Sequence, residues 1–196
     1  ANRLLRQPVR VEVAPESTTA ERVEQYVCFV DKNLKHRLLV HTLQQHKDGL
    51  VLVFTRTKHG ANRLAKNLVR DGIGADAIHG NKSQSARQRA LEDFRTGAIR
   101  VLVATDIAAR GIDVKGIELV VNFDLPEEPE AYVHRIGRTG RAGAAGLAIA
   151  FCDQEERGLL RDIQRLTRQS IPVKNDHPFH DGAAVPPLSP AMGQRP

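Results

Sequence analysis

Length and charge already limit what this chain of 196 residues can be. Its composition, 41% hydrophobic and 27% charged, is ordinary for one globular domain and excludes a fibrous or disordered chain. Lys and Arg number 29 against 23 Asp and Glu, and the resulting formal net charge of +6 favours an anionic partner.

The chain reads in order as alternating short apolar runs and longer segments of helical period, the pattern of βαβ units around a parallel sheet. The apolar runs predict strands at 23–30, 50–54, 75–78, 100–104, 118–123 and 147–151. The helical periodicity predicts helices at 33–46, at 58–70, after Ser83 as a candidate N-cap and running to Phe94, from about 129, and at 154–167. We therefore expect an α/β fold with a parallel sheet and helices on both faces.

The last segment, residues 173–196, is rich in Pro and has Phe179 as its one aromatic side chain, so it cannot form a core of its own. Its charges cancel, which places the whole basic excess in residues 1–172. We predict a Pro-rich tail or linker that packs on its own domain or on a neighbour.

The cysteines and the hydropathy of the sequence indicate the cellular compartment in which the protein works. Cys28 and Cys152 lie far apart inside apolar runs, without disulfide-framework or zinc-site spacing, and we interpret them as buried thiols of a reducing compartment. The sequence contains neither a membrane-length apolar run nor the apolar stretch of a signal peptide at its start. We expect a soluble, cytoplasmic protein with no membrane partner, and the missing initial Met indicates a processed chain or a fragment.

Residues 74–83 superficially resemble a phosphate-binding P-loop. That motif needs Lys directly after its second Gly, whereas Asn81 separates Gly80 from Lys82. We reject this P-loop and expect that the chain alone does not hydrolyse nucleotides.

An arginine-rich motif at 134–143 is the strongest chemical feature. Arg135, Arg138 and Arg141 alternate with Gly residues, and guanidinium groups offer planar, permanently charged forks for phosphate oxygens. Arg138 and Arg141, three residues apart, can point the same way. Composition alone leaves phosphate binding and a solvated, mobile loop both open.

A second motif, residues 104–113, follows an apolar strand and so lies where open α/β sheets bind ligands. Thr105 and Asp106 can act there or simply cap a short helix. Asp113, placed after Gly111, suits hydrogen bonds from a ribose, although a turn Asp has the same appearance.

Together these motifs resemble a known family. Residues 104–113 and 134–141 resemble motifs V and VI of the DEAD-box RNA helicases, residues 52–58 resemble motif IV, and residues 84–87 resemble the Q-x-x-R motif. The flanking segments 125–128 and 151–157 are similar to the bacterial RhlE-type subgroup. The resemblance implies a second RecA-like domain at 9–172, with 1–8 as the end of an interdomain linker, because the motifs of the family's first domain are missing.

The resemblance also implies roles for individual residues. Arg138 and Arg141 would be arginine fingers for ATP, whose Mg²⁺ is held mainly by the first RecA-like domain. Asp113 would bind the ribose hydroxyls, with Gly111 in the nucleotide site allowing close approach. His134 and Arg135 would face the first domain and couple closure to RNA. The positions that match RNA-backbone contacts are Thr57, Gly80, Arg87 and Thr105.

Two functions from different classes remain open at this point. The first is the finger-bearing half of an ATP-dependent RNA helicase, inactive as an ATPase by itself. The second is a stand-alone RNA-binding or self-assembly module that pairs through its tail. We expect no metal site, because His36, His41 and His46 recur every five residues and lie about 140° apart on a helix.

Overall fold

The structure, a computed structural model, describes residues 23–140 and 145–180. The predicted linker at 1–8, Arg141, and the tail beyond residue 180 lie outside the described residues.

The described residues contain one six-stranded, all-parallel sheet with the strand order β1-β6-β5-β2-β4-β3. Val53 of β2 lies between Val103 of β4 and Val121 of β5, and all three are fully buried. Burial on both faces explains why these strands are continuously apolar. The strands are β1 (Val23–Phe29), β2 (Leu50–Phe54), β3 (Ala75–Ile78), β4 (Val101–Ala104), β5 (Ile117–Asn122) and β6 (Gly146–Cys152).

Helices cover both faces of the sheet, as predicted. Side chains of α1 and α2 join one apolar cluster, and side chains of α3 to α6 join the other. Short 3₁₀ turns, Lys32–Leu34 and Gln154–Glu156, precede α1 and α6. The helices are α1 (Lys35–Gln45), α2 (Lys58–Arg70), α3 (Gln84–Thr96), α4 (Asp106–Ala109), α5 (Pro129–Ile136) and α6 (Arg157–Thr167).

Two helix starts are fixed by side-chain caps. Ser83 accepts a hydrogen bond from the Ala86 N–H (3.3 Å), which confirms its prediction as an N-cap. Thr57 does the same for the Gly60 N–H (3.0 Å) at the start of α2. Both caps lie at the carboxyl edge of the sheet. They therefore fix the positions of the N-termini of α2 and α3 at this edge.

Residues 173–180 lie against the domain. The Val27 N–H donates to the Pro172 carbonyl and the Lys174 N–H donates to the Val27 carbonyl, both at 2.9 Å. This segment therefore pairs with the outer side of β1. Further along, the ring of Phe179 packs under the Arg37 guanidinium at 5.2 Å. The first part of the Pro-rich segment is thus attached to the sheet and to α1.

Both cysteines are buried and unbridged, on opposite faces of the sheet. Burial raises the pKa of each thiol, Cys28 and Cys152, to about 12, so neither is a reactive thiolate. In the part of the chain that the structure describes, no helix is long and apolar enough to span a bilayer.

Candidate functional site

An open cleft of about 570 Å³ lies at the carboxyl edge of the sheet. This is the edge at which parallel α/β sheets bind ligands. The cleft is bordered by the ends of β2 and β4, by the loop after β5 and by α5. Of the residues predicted from the sequence, it brings together Thr105, His134, Arg135 and Arg138.

Arg135 is the most buried charged residue at the cleft, with 1% of its surface exposed. Its Nε and Nη2 donate to the two carboxylate oxygens of Asp106 at 2.6 and 2.7 Å. Its Nη1 donates to Asn122 Oδ1 (3.0 Å) and to the Asp124 carbonyl (2.7 Å). With its donors used inside the domain, Arg135 joins the arginine-rich motif to the end of β4 and to the end of β5.

The short helix that one interpretation of Thr105 and Asp106 expected is present as α4: Asp106 is its first residue, but the N-cap residue Thr105 makes no side-chain capping hydrogen bond. Its carboxylate, however, accepts hydrogen bonds from the Nε and Nη2 of Arg135, while its side chain stays 41% exposed toward the cleft. The sequence contained no signal for this pair, because the two residues are 29 positions apart.

Arg138 follows α5, which ends at Ile136, and is half-buried at the border of the cleft. Its Nη1 donates to the Ile112 carbonyl at 3.0 Å. Because the helix has ended, helical spacing does not govern the direction of Arg138. Arg141 is outside the described residues, so its position relative to Arg138 stays a prediction.

Gly111 and Asp113 flank the residue that accepts this hydrogen bond, so Arg138 and the predicted ribose contact lie next to the same stretch of backbone. Both residues are exposed. Gly111 has φ +89°, a left-handed conformation that L side chains rarely adopt, and open space surrounds the position of a Cβ. Glycine is therefore required here by backbone conformation rather than by crowding.

The four predicted RNA-backbone residues also converge on this edge. Thr57, Gly80 and Thr105 follow β2, β3 and β4, which are neighbours in the sheet. Thr57 and Gly80 are exposed, and Thr105 is half-buried at the N-cap of α4, where its side chain makes no capping hydrogen bond. Arg87 lies in the first turn of α3, half-buried.

Helix N-termini add partial positive charge to the same edge. The helices α2, α3 and α4 all begin there, after Thr57, Ser83 and Thr105. The first turns of α2 and α3 contain no acidic residue, although an acid there would stabilise the helix dipole. Helix N-termini with basic neighbours form an arrangement suited to an anionic ligand.

Comparison with known proteins agrees with this geometry. Residues 34–143 match the helicase conserved C-terminal domain family. The chain is 46% identical over 164 residues to the ATP-dependent RNA helicase RhlB of Pseudomonas putida, covering 84% of this chain and 41% of that protein. A solved structure of the E. coli DEAD-box protein SrmB bound to regulator of ribonuclease activity A is 35% identical, with a TM-score of 0.77, over 84% of this chain and 96% of that one. The chain belongs to the DEAD-box helicase C-terminal domains.

The structural match confirms the RecA-like fold predicted from the motifs. S. cerevisiae Dbp5, solved bound to RNA and ADP BeF3, superposes with a TM-score of 0.72 at 33% identity, over 78% of this chain and 41% of that one. The chain spans about a third to two fifths of the length of the curated relatives it matches.

A buried ion network that the motifs did not reveal supports the cleft of this helicase domain. Lys35, 2% exposed, lies 2.5 Å from Glu156 Oε2 and 3.1 Å from Asp153 Oδ2. Arg56 reaches Glu156 Oε1 at 2.7 Å from the cleft side, and the Leu125 N–H donates to the same oxygen. Burial raises the pKa of Glu156, and the charge of Lys35 partly offsets that rise. Lys35 and Glu156 are 121 positions apart, which is why the sequence gave no indication of the network.

His79 is a second contributor that sequence reasoning missed. It is 4% exposed, its Nδ1 accepts from the Asn81 N–H at 3.3 Å, and its Nε2 lies 2.9 Å from Asn62 Oδ1. Accepting at Nδ1 leaves the proton on Nε2, the arrangement of a neutral ring. Burial, with smaller effects of Lys82 and other basic residues, lowers the pKa of His79. The neutral ring thus holds the turn that contains Gly80.

One glycine of the arginine-rich motif, Gly140, serves packing rather than ligand approach. Gly140 has φ +66°, and a Cβ on Gly146 would lie 2.4 Å from the Gly140 nitrogen. This contact fixes the start of β6 against the end of the motif. Within the described ranges, 23–140 and 145–180, no three His, Cys, Asp or Glu side chains are placed to hold a metal ion.

Proposed function

We propose that this chain is the second RecA-like half of an ATP-dependent RNA helicase. In this function it supplies arginine fingers and an RNA-backbone surface for ATP-driven duplex unwinding, and by itself it does not hydrolyse ATP. The observation that carries the proposal is the placement of Arg138 at the cleft, against the backbone beside Asp113, on the edge that also gathers the RNA candidates.

Arg138 in the cleft and Asp113 beside it fit one side of an ATP molecule. The exposed Asp113 carboxylate, next to the Ile112 carbonyl that Arg138 contacts, offers acceptors for ribose hydroxyls, and the Arg138 guanidinium offers a fork for phosphate oxygens. Residues 74–83 do not form a P-loop, so the triphosphate and Mg²⁺ are assigned mainly to a first RecA-like domain. ATP supplies the γ-phosphoryl group that is transferred to water.

The role of the arginine fingers is to neutralise charge that develops on the γ-phosphate during this transfer. A finger contributes about 10³–10⁵ in rate, or about 4–7 kcal/mol. Arg138 carries this role, together with Arg141. The hydrogen bond from Arg138 to the Ile112 carbonyl restricts its side chain before ATP arrives, which lowers the entropy lost on binding.

The RNA-binding part of the proposed function rests on four residues, with support from the likeness to Dbp5 bound to RNA and ADP BeF3. They are Thr57, Gly80, Arg87 and Thr105. Hydroxyl, backbone and guanidinium donors at one edge suit a sugar-phosphate backbone and read no base sequence. Thr105 borders the nucleotide cleft as well, so RNA and nucleotide contacts meet at the start of α4.

Coupling between the two halves is assigned to His134 and Arg135. His134 is exposed in the cleft, which supports a direct contact with a first domain. Arg135 is buried and acts as a positioning residue through the half-exposed Asp106. The motif flanks at 125–128 and 151–157 support an RhlE-type subgroup as the finer assignment.

The test is to mix the chain with a matching first RecA-like domain and to measure RNA-stimulated ATP hydrolysis. We expect Arg138→Ala to lower turnover by about 10³ or more while RNA binding persists. Arg161→Ala, which removes an exposed charge on α6, is the matched control and should leave turnover unchanged. Equal turnover in wild type and Arg138→Ala would overturn the proposal, as would ATP hydrolysis by the chain alone.

A further inference from the structure

The helix α2 carries an unusually one-sided charge. Its 13 residues include four Lys or Arg and no Asp or Glu. His59, Arg63, Lys66 and Arg70 follow at intervals of four, three and four residues, which places them on one face of the helix. All four side chains are exposed. The helix therefore presents a basic stripe, defined here as Arg63, Lys66 and Arg70 with His59 at its start.

The stripe is not neutralised within the domain. In the described part of the chain, Arg63, Lys66 and Arg70 form no ion pair, whereas exposed arginines elsewhere do, such as Arg95 with Glu92 and Arg165 with Asp162. Like charges three and four residues apart on a helix repel each other and destabilise it. A bound anion would remove that repulsion.

A groove of about 490 Å³ runs beside the stripe, between α2 and the edge strand β3. Lys66 and Arg70 line it from the helix, and Lys82 lines it from the turn after Gly80. Lys82 is paired with Asp76 at 2.6 Å, which accounts for the groove's one lining carboxylate. The groove thus opens next to the Gly80 turn and ends near Arg70.

The stripe begins at the carboxyl edge of the sheet, here called the RNA edge because it holds the proposed RNA contacts Thr57 and Gly80, and leads away from it. Thr57 caps α2, and His59 to Arg70 extends about 16 Å along the helix axis. The groove has no aromatic lining residue on which a base could stack, and its cations suit phosphate groups. An extended polyanion that crosses Thr57 and Gly80 would find the next positive charges along α2.

We propose that the stripe and the groove bind the phosphates of an RNA strand that continues beyond the contacts at Thr57 and Gly80. The inference rests on the proposed RNA function of that edge and extends it to a second, sequence-independent segment of the same strand. RNA is favoured over an acidic protein because the stripe is continuous with the RNA edge.

The experiment measures RNA affinity of the full chain by fluorescence anisotropy. The probes are the shortest oligouridylate that the wild type binds measurably and an oligouridylate three times as long. The test variant combines Arg63→Gln, Lys66→Gln and Arg70→Gln. The matched control combines Arg95→Gln, Arg161→Gln and Arg165→Gln, which removes the same charge from exposed positions on α3 and α6.

We expect the test variant to bind the long probe about ten- to a hundredfold more weakly, with the short probe changed less than about twofold. For the long probe, the slope of log affinity against log salt should fall by about two, since each phosphate contact on a single strand contributes about 0.7. Arg70→Gln alone should show about a third of that slope change, which keeps the test available if the triple variant does not fold.

Two results would overturn the inference and leave the proposed function intact. One is equal binding of the long probe by wild type and test variant, whether or not the stripe binds an acidic protein. The other is an equal loss in test and control variants, which would reduce the effect to net charge. Failure of the wild-type chain to bind oligouridylate of any length would overturn the RNA function itself.

Discussion

The two halves of the carboxyl edge differ in whether their basic side chains are buried in ion pairs or accessible without an ion-pair partner. On one side, Lys35 after β1 and Arg135 after β5 are buried and paired, Lys35 with Glu156 after β6 and Arg135 with Asp106 across the sheet at the start of α4. On the side of β4 and β3, Arg87 and the basic stripe of α2 have no ion-pair partner among residues 23–140 and 145–180. Paired, buried charges hold strand ends in place, whereas unpaired, accessible charges are available to a ligand.

The contrast recurs within the arginine-rich motif. Arg135 uses four hydrogen bonds to join β4 and β5, while Arg138 lies half-buried at the cleft with its Nη1 on the Ile112 carbonyl. Both residues are arginines of the same motif. They differ in that Arg135 lies inside α5, which ends at Ile136, whereas Arg138 lies beyond its end, and this separates the scaffold arginine from the candidate catalytic one.

The largest effect should come from the paired half. Lys35→Met should lower the free energy of unfolding by about 3–5 kcal/mol, because it leaves Glu156 and Asp153 buried without the cation they surround. Urea unfolding at neutral pH measures it. Lys32→Met is the control: its pair with Glu155 is exposed, so we expect a loss of about 0–1 kcal/mol.

A second variant tests whether the unpaired carboxylate is the cause. Lys35→Met combined with Glu156→Gln should recover part of the loss, because one buried charge is removed along with its partner. Additive losses in the double variant would contradict an ion network and indicate that Lys35 contributes through the packing of its stem alone.

The fold was accessible from the sequence because its signals are local. Strand runs such as residues 50–54 and 75–78 and the cap at Ser83 depend on neighbours within a few positions, and each matches the structure. The short helix α4 was foreseen only as one interpretation of Thr105 and Asp106. The convergence of motif residues at one edge followed from the parallel sheet, because all strands end on the same side.

The scaffold of the site was not accessible, because its contacts are long-range. Arg135 with Asp106 and Lys35 with Glu156 join residues 29 and 121 positions apart. Neither pair has a spacing rule that sequence inspection could apply. His79 gave no signal either, because its neutral state depends on burial and on a backbone N–H donor that only the folded turn provides.

The turn at Gly80 lies on the accessible half but depends on a buried group, and pH should reveal this. The folded-state pKa of His79 lies below the ordinary value of 6.5, because burial disfavours the charged ring. Its contribution to stability is therefore present above pH 6.5 and is lost as pH falls below it. The hydrogen bond from Asn81 accounts for about 1 kcal/mol of that contribution.

The measurement compares urea unfolding of wild type and His79→Gln from neutral to mildly acidic pH. His46 and His177 also have lowered pKa values through burial, so the difference between the two proteins, rather than the wild-type curve, isolates His79. We expect this difference to shrink as pH falls. A difference that stays constant with pH would show that His79 acts by shape and not by its neutral ring.

The smallest effect on stability belongs to the accessible half, at Arg87. Arg87 and Arg89 both lie near the start of α3, but positions two apart face different sides of a helix. We expect Arg87→Ala to weaken RNA binding about five- to tenfold and Arg89→Ala to change it less than about twofold. Both should unfold within about 0.5 kcal/mol of wild type, since neither makes a side-chain hydrogen bond inside the described domain. An equal loss of affinity in the two variants would mean that α3 attracts RNA by its overall positive charge. Arg87 would then make no specific contact with the RNA backbone.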